Sequence, residues 1–154
     1  MAVLIPGYFL QTGSGLDRAQ LVKFMQRTYR ELDSTQPLAH LAQTVDRYLS
    51  SETPLWWVTA KNESAPVACL WLGAAIDQIT GDRHSHVLLL YVSPEHRRRG
   101  IGSALMRHAE QWAAEQGDRQ IGLQVFSHNQ PALTLYQSLG YHPQSIWMVK
   151  PLSS

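Results

Sequence analysis

The stretch from His86 to about Phe126 constrains the fold more than any other part of the chain. "HVLLLYV" (86–92) has the length of a strand, and residues 87–92 are apolar without a break, as expected of a strand covered on both faces. Ile101, Ala104, Leu105, Ala109 and Trp112 then recur at helical spacing up to Gly117. A second strand-like run follows at about 120–127. Two neighbouring strands joined through a helix run parallel, with a right-handed crossover. Such a unit needs a sheet with helices packed against it.

The flanking segments extend that sheet. A first strand, at a sheet edge, is predicted over 3–10, where Pro6-Gly7 interrupts an apolar run, and it ends in a Gly-Ser-Gly turn. Asp17 is placed to cap a helix, answered by Gln20, and Leu21, Phe24, Met25, Thr28 and Leu32 hold the helical period. A second helix is expected to start near Pro37, with Leu38, Leu41, Ala42, Val45 and Tyr48 on one side. "LWWVTA" (55–60) and "VACLWLGAAI" (67–76) read as strands, divided from their neighbours by loops holding Asn62 and Gly81-Asp82. A short helix is expected from Asn129 to Leu139, stopped by Gly140, and the tail "YHPQSIWMVK" (141–150) as a last, irregular strand. The order β-α-α-β-β-β-α-β-α-β implies an α/β (mixed α+β) protein, a central mixed sheet with helices on both faces, in one domain over residues 1–154.

Charge bounds the function classes. Net charge is only +1 and charged residues are 16%, so no overall field recruits nucleic acid. One cysteine, Cys69, excludes an internal disulfide framework and suits a reducing compartment. The apolar N-terminus lacks a basic leader region, and no apolar run reaches membrane-spanning length, so a cytoplasmic protein with no membrane partner is expected.

Against that background the loop "EHRRRGIGS" (95–103) stands out, with four cationic residues before Gly-Ile-Gly at a helix start. A helix N-terminus has unpaired N–H groups and a partial positive charge, which favours anions. Gly100 and Gly102 leave the backbone accessible, and Arg97, Arg98 and Arg99 carry forked donors suited to phosphate oxygens. A dinucleotide fingerprint needs a third glycine where Leu105 stands, and a Walker A loop is absent. A pyrophosphate is the natural guest. A solvated basic run that merely precedes a helix is the plain alternative.

"VSPEHRRRGIGSALM" resembles the acetyl-CoA signature of the GNAT superfamily of N-acetyltransferases, Arg/Gln-x-x-Gly-x-Gly/Ala, through Arg97, Gly100 and Gly102. "NQPALTLYQSLGYHP" is similar to the family's second motif, through Asn129, Ala132, Tyr136, Gly140 and Tyr141. The resemblance, over nearly the whole chain, implies a sheet whose parallel strands splay, with the pantetheine arm of acetyl-CoA lying along Leu90, Tyr91 and Val92. It implies that the amides of Arg98, Arg99, Gly100, Ile101, Gly102 and Ser103 take the pyrophosphate. The Val92 N–H would hold the developing oxyanion, Asn129 would contact the cofactor, and Tyr136 would be the general acid. On periodicity alone Tyr136 sits with Ala132, Leu135 and Leu139 on an apolar stripe and could simply be core.

Where several family members carry a glutamate base, eleven residues before Arg97, this chain has His86. Its ordinary pKa suits the task. Regular alternation would put it on one strand face with Leu88, Leu90 and Val92, though a solvent-facing histidine, or a backbone carbonyl and water in its stead, fits as well. His84 and His86 share a strand face, but no third ligand has useful spacing, so no metal is expected. Cys69 reads as core. Of Trp56 and Trp57, one is assigned to the core and the other to an acceptor pocket or a subunit contact, which leaves a homodimer open. Glu31 and Asp33, in the loop after the first helix, could favour a cationic acceptor.

The expected activity is acetyl transfer from acetyl-CoA to a primary amine, on a small molecule or a protein, by direct attack in a ternary complex. A catalytically weak acyl-CoA-binding module of the same fold is the alternative. An RNA or DNA contact at the arginine loop is a weaker third, opposed by the near-zero net charge.

Overall fold

The computed structural model describes residues 2–153, which fall into two compact units divided between Gln124 and Val125. The first unit holds a six-stranded sheet in the order β1-β2-β3-β4-β5-β6. The strands are β1 (Ala2–Ile5), β2 (Tyr8–Thr12), β3 (Leu55–Ala60), β4 (Pro66–Ile76), β5 (Arg83–Val92) and β6 (Ile121–Leu123). All neighbours are antiparallel except β5 and β6, which run parallel across the helix α3 (Ile101–Glu115), as the crossover argument required.

The N-terminal segment is a hairpin rather than a single strand. Pro6-Gly7 makes its turn, with Gly7 at φ +85°, a conformation that glycine adopts without steric penalty. The helix start also differs. Ser14 and Asp17, not Asp17 and Gln20, form the reciprocal capping pair, and it closes a 3-10 turn (Gly15–Asp17) that leads into α1 (Arg18–Leu32). Asp17 is thereby occupied, and it also accepts from the Trp57 indole at 3.1 Å. Helix α2 (His40–Tyr48) begins three residues after Pro37, which stays in the preceding loop, and Tyr48 is exposed.

Leu21, Phe24 and Met25 of α1 and Leu41 and Val45 of α2 pack on one sheet face with Trp57, Cys69, Trp71, Leu89 and Tyr91. Helix α3 lies on the other, where Trp56 meets His108 and Trp112 edge to face. Trp56 and Trp57 point to opposite faces, as successive strand residues must, and both are buried. Among the described residues no helix is long and apolar enough to cross a membrane.

In the second unit, α4 (Gln130–Ser138) is capped by Asn129, whose side chain accepts from the Ala132 N–H, and Gly140 follows at φ +96°. The tail expected as a strand joins no ladder, and Ile146, Trp147, Met148 and Val149 are exposed. The strand expected over 120–127 is only β6.

Candidate functional site: the open edge of β5 and the loop after it

The β5–β6 ladder pairs Ser85 with Ile121, His86 with Gly122 and Val87 with Leu123, and then ends. Among the described residues, β5 continues from Leu88 to Val92 without a parallel partner. Its other edge stays paired, Leu90 opposite Leu70 and Val92 opposite Ala68. The Ser93 N–H donates to the Val67 carbonyl on that paired side, at 2.8 Å. In an antiparallel ladder the polar groups of successive residues point to alternate sides. The N–H and C=O groups of Leu90 and Val92 therefore point to the open edge. An extended arm laid there would find the N–H and C=O of Leu90 and the N–H of Val92, whose carbonyl already accepts from Arg97.

The register shows why alternation failed as a guide. Trp71 pairs with Leu89 and Leu72 with Val87, which leaves Leu88 as an extra residue, a bulge in β5. Beyond a bulge the side chains change faces. Gly73 pairs with His86, so His86 shares the α1–α2 face with Trp71, and Leu88 and Tyr91 pack on that face too. Leu90 and Val92 face the other way, opposite Leu70 and Ala68. His86 is not on a face with Leu90 and Val92, contrary to the simple count. Four residues of strand separate it from Leu90, roughly 13 Å.

His84 and His86 do stand together. A methyl group on Gly122 would lie 3.1 Å from His84 Cε1 and 3.3 Å from His86 Nδ1, so the missing side chain in β6 makes room for both rings. Burial, and secondarily the charge of His84, lowers the pKa of His86 and keeps it neutral at pH 7. Among the described residues no three His, Cys, Asp or Glu side chains gather where a metal could sit. Cys69 is fully buried and its thiol is pushed far up by burial, which removes it as a nucleophile.

Past β5, a 3-10 turn (Pro94–His96) delivers the basic loop to α3. Gly100 is the N-cap at φ +87°, it has no side chain to cap with, and a Cβ there would meet open space. The Ala104 N–H bonds back to the Gly100 carbonyl, which leaves the amides of the preceding turn without a helical partner. Ile101 is buried, so what it offers outward is its N–H. Ser103 follows in the same first turn. These open amides fit an anionic group such as a pyrophosphate.

The basic residues of the loop are not equivalent. His96 Nδ1 lies 2.8 Å from the Tyr8 hydroxyl, with Glu63 3.7 Å from its other nitrogen. Arg99 donates to the same hydroxyl at 2.9 Å. Arg97 donates to the Val92 carbonyl and pairs with Glu31. Arg98, at φ +63°, is exposed, and among the described residues no protein group takes its guanidinium. Tyr8, Glu63 and the Glu31 pairing are invisible to a sequence reading, because their partners lie far along the chain. The acidic loop residues are likewise engaged internally: Asp33 accepts from the Thr35 hydroxyl and N–H, which hold its carboxyl below the usual range.

Tyr136 and Asn129 belong to the second unit. The Tyr136 ring meets Tyr141 edge to face across the Gly140 turn, centroids 5.9 Å apart, and burial pushes its phenol up to about 12. It therefore keeps its proton at neutral pH.

The sequence profile of the Acetyltransferase (GNAT) family matches residues 19–141. The chain is similar to N-acetyltransferase family 8 member 3 of Rattus norvegicus, 32% identical over 121 residues, which are 79% of this chain and 51% of that protein. It is also similar to N-acetyltransferase 8 of Homo sapiens, 33% identical over 94 residues, 61% of this chain and 41% of that one. The chain spans about half the length of the curated relatives it matches. Among solved structures, a GCN5-related N-acetyltransferase from Ralstonia eutropha JMP134 matches with a TM-score of 0.74 at 26% identity, covering 95% of this chain and 99% of that one.

Proposed function

Because this chain belongs to the GNAT family of acetyltransferases, a family of acyl-transferring enzymes, we propose that it moves the acetyl group of acetyl-CoA onto a primary amine within a ternary complex. The whole chain, residues 1–154, works as one acetyltransferase domain. The observation that carries the reading is the juxtaposition of an uncapped α3 N-terminus with the unpaired edge of β5.

The amides from Arg98 to Ser103 hold the pyrophosphate, with Arg98 as the side chain still available to it. Leu90 and Val92 present their backbone to the pantetheine arm, while the groups of Tyr91 between them point to β4. An open-edge N–H, that of Val92 or of Leu90, takes the thioester oxygen as negative charge builds on it. The amine nitrogen forms the new C–N bond, the C–S bond breaks, and the sulfur leaves as thiolate. Tyr136 supplies a proton to that thiolate. The attacking nitrogen loses one proton to His86, and the strand spacing requires water to carry it. Asn129 caps the helix that bears Tyr136 and contacts the cofactor. Glu31 and Asp33, already engaged, are weak candidates for recognising a cationic acceptor. The acceptor is a primary amine of a small molecule or a protein. The cytoplasm is the proposed setting.

A calorimetric titration of acetyl-CoA on the wild type and on Gly102→Trp tests this. Micromolar binding lost in the variant supports the site, and free-thiol release with a panel of primary amines then reads transfer. No binding up to millimolar concentration overturns it. Binding without transfer to any amine leaves the acyl-CoA-binding module instead.

A further inference from the structure

Arg97 opens the loop signature, yet its guanidinium is turned back onto the protein. Nε donates to the Val92 carbonyl at 2.8 Å. One terminal nitrogen reaches both carboxylate oxygens of Glu31, at 2.7 and 2.9 Å. The group lies over the Tyr91 ring, 5.5 Å from its centroid. The Tyr91 phenol is itself hydrogen-bonded to Glu31, and burial first, then that carboxylate, raises its pKa. A phosphate would have to compete for a cation whose charge Glu31 already balances.

The contact on Val92 has a second half. The peptide between Val92 and Ser93 is held at its N–H by Val67 and at its carbonyl by Arg97. Ser93 is buried, so this peptide plane has little freedom. It ends the strand whose open edge faces the acyl group in the reaction proposed above. Through Glu31, the same guanidinium ties that edge to the last turn of α1.

We infer that Arg97 is a positioning residue that braces the open edge of β5 against α1, and not a phosphate ligand. The inference rests on the acetyl-transfer reading, since only there does the exact aim of the β5 amides matter. A phosphate ligand and a brace differ in what their loss changes. Losing a ligand weakens CoA binding at unchanged turnover, whereas losing a brace leaves binding and degrades the polarised carbonyl.

The test combines CoA calorimetry with isotope-edited infrared spectra of bound, carbonyl-labelled acetyl-CoA, which need no acceptor. The wild type is expected to lower the thioester carbonyl frequency on binding. Arg97→Gln is expected to keep the CoA Kd within about threefold and return the frequency most of the way to its free value. A Kd weakened about tenfold, or a frequency shift that survives, overturns the inference. Should Arg97→Gln fail to fold, Glu31→Gln reads the same split with a smaller loss of shift, and an unchanged shift there is equally fatal. Wild-type protein that binds no CoA overturns the proposed function as well, a result distinct from any of the variant outcomes.

Discussion

The Tyr8 hydroxyl accepts a hydrogen bond from Arg99, 91 positions further along the chain, at 2.9 Å. It also meets His96 Nδ1, and the phenol that does both is buried under the loop. The N-terminal hairpin is thus a clamp on the basic loop. Tyr8→Phe keeps the ring and removes both contacts. A loss of about 1 kcal/mol or somewhat more is expected by thermal melting. Acetyl-CoA binding is expected to weaken several-fold in calorimetry, because Arg99 and His96 both lose their anchor. Unchanged affinity would mean that the loop holds its shape without the hairpin.

In the proposed reaction the His84–His86 pair sets the acid side of the activity. Burial lowers the His86 pKa below its ordinary 6.5. The folded protein therefore binds fewer protons than the unfolded chain in that window, and stability falls as pH drops through 6.5 and the folded value. Activity should stay level through pH 7 and fall only below pH 6.5 in a kcat/KM profile. Gly122→Ala puts a methyl against both rings. It is expected to displace that acid limb and lower kcat/KM several-fold. A superimposable profile would take the histidines out of the proton path.

In that reaction Tyr136 sets the other side. With its phenol pushed up to about 12 the proton is retained well beyond pH 10. Because the unfolded phenol titrates near 10, the stability tied to this group is complete below pH 10 and is lost as pH rises toward 12. Tyr136→Phe is expected to reduce kcat about 100-fold while leaving the acetyl-CoA Kd in place. Retained turnover would return Tyr136 to the apolar stripe of α4.

Cys69 offers a check on the core itself. Its side chain is fully buried on the α1–α2 face, and burial suppresses the thiolate. A disulfide-exchange reagent should leave it untouched in the native protein and modify it completely in guanidinium. Fast native-state labelling would show that α1 and α2 lift readily from the sheet.

Much of this was readable from residue order. The strand-length apolar run, the helical stripe up to Gly117 and the run after it required a parallel pair, and β5 and β6 are that pair. The helix starts at Gly100 and at Asn129 were local chemistry, settled within a few residues of chain. Other features depended on partners that no local window contains. Pro6-Gly7 looked like a break in one edge strand, although its turn pairs Ile5 with Tyr8 locally; the partner that lies far along the chain is β3, which pairs with Tyr8–Thr12. The bulge at Leu88 has no sequence marker, yet it moved Leu90 and Val92 to the face opposite His86.

The sequence by itself determined where anion-binding backbone could form, since glycines, a helix start and a preceding strand are enough to expose amides. It also determined the family, through two motifs in register. Only the tertiary structure decided what each cation does. Arg97, Arg98 and Arg99 are identical as residues and adjacent in the chain, and they differ because Val92 and Glu31 stand beside the first, solvent beside the second and Tyr8 beside the third. A guanidinium pairs with whichever acceptors the fold brings within hydrogen-bond reach, and those acceptors come from β2, β5 and α1, up to 91 positions away.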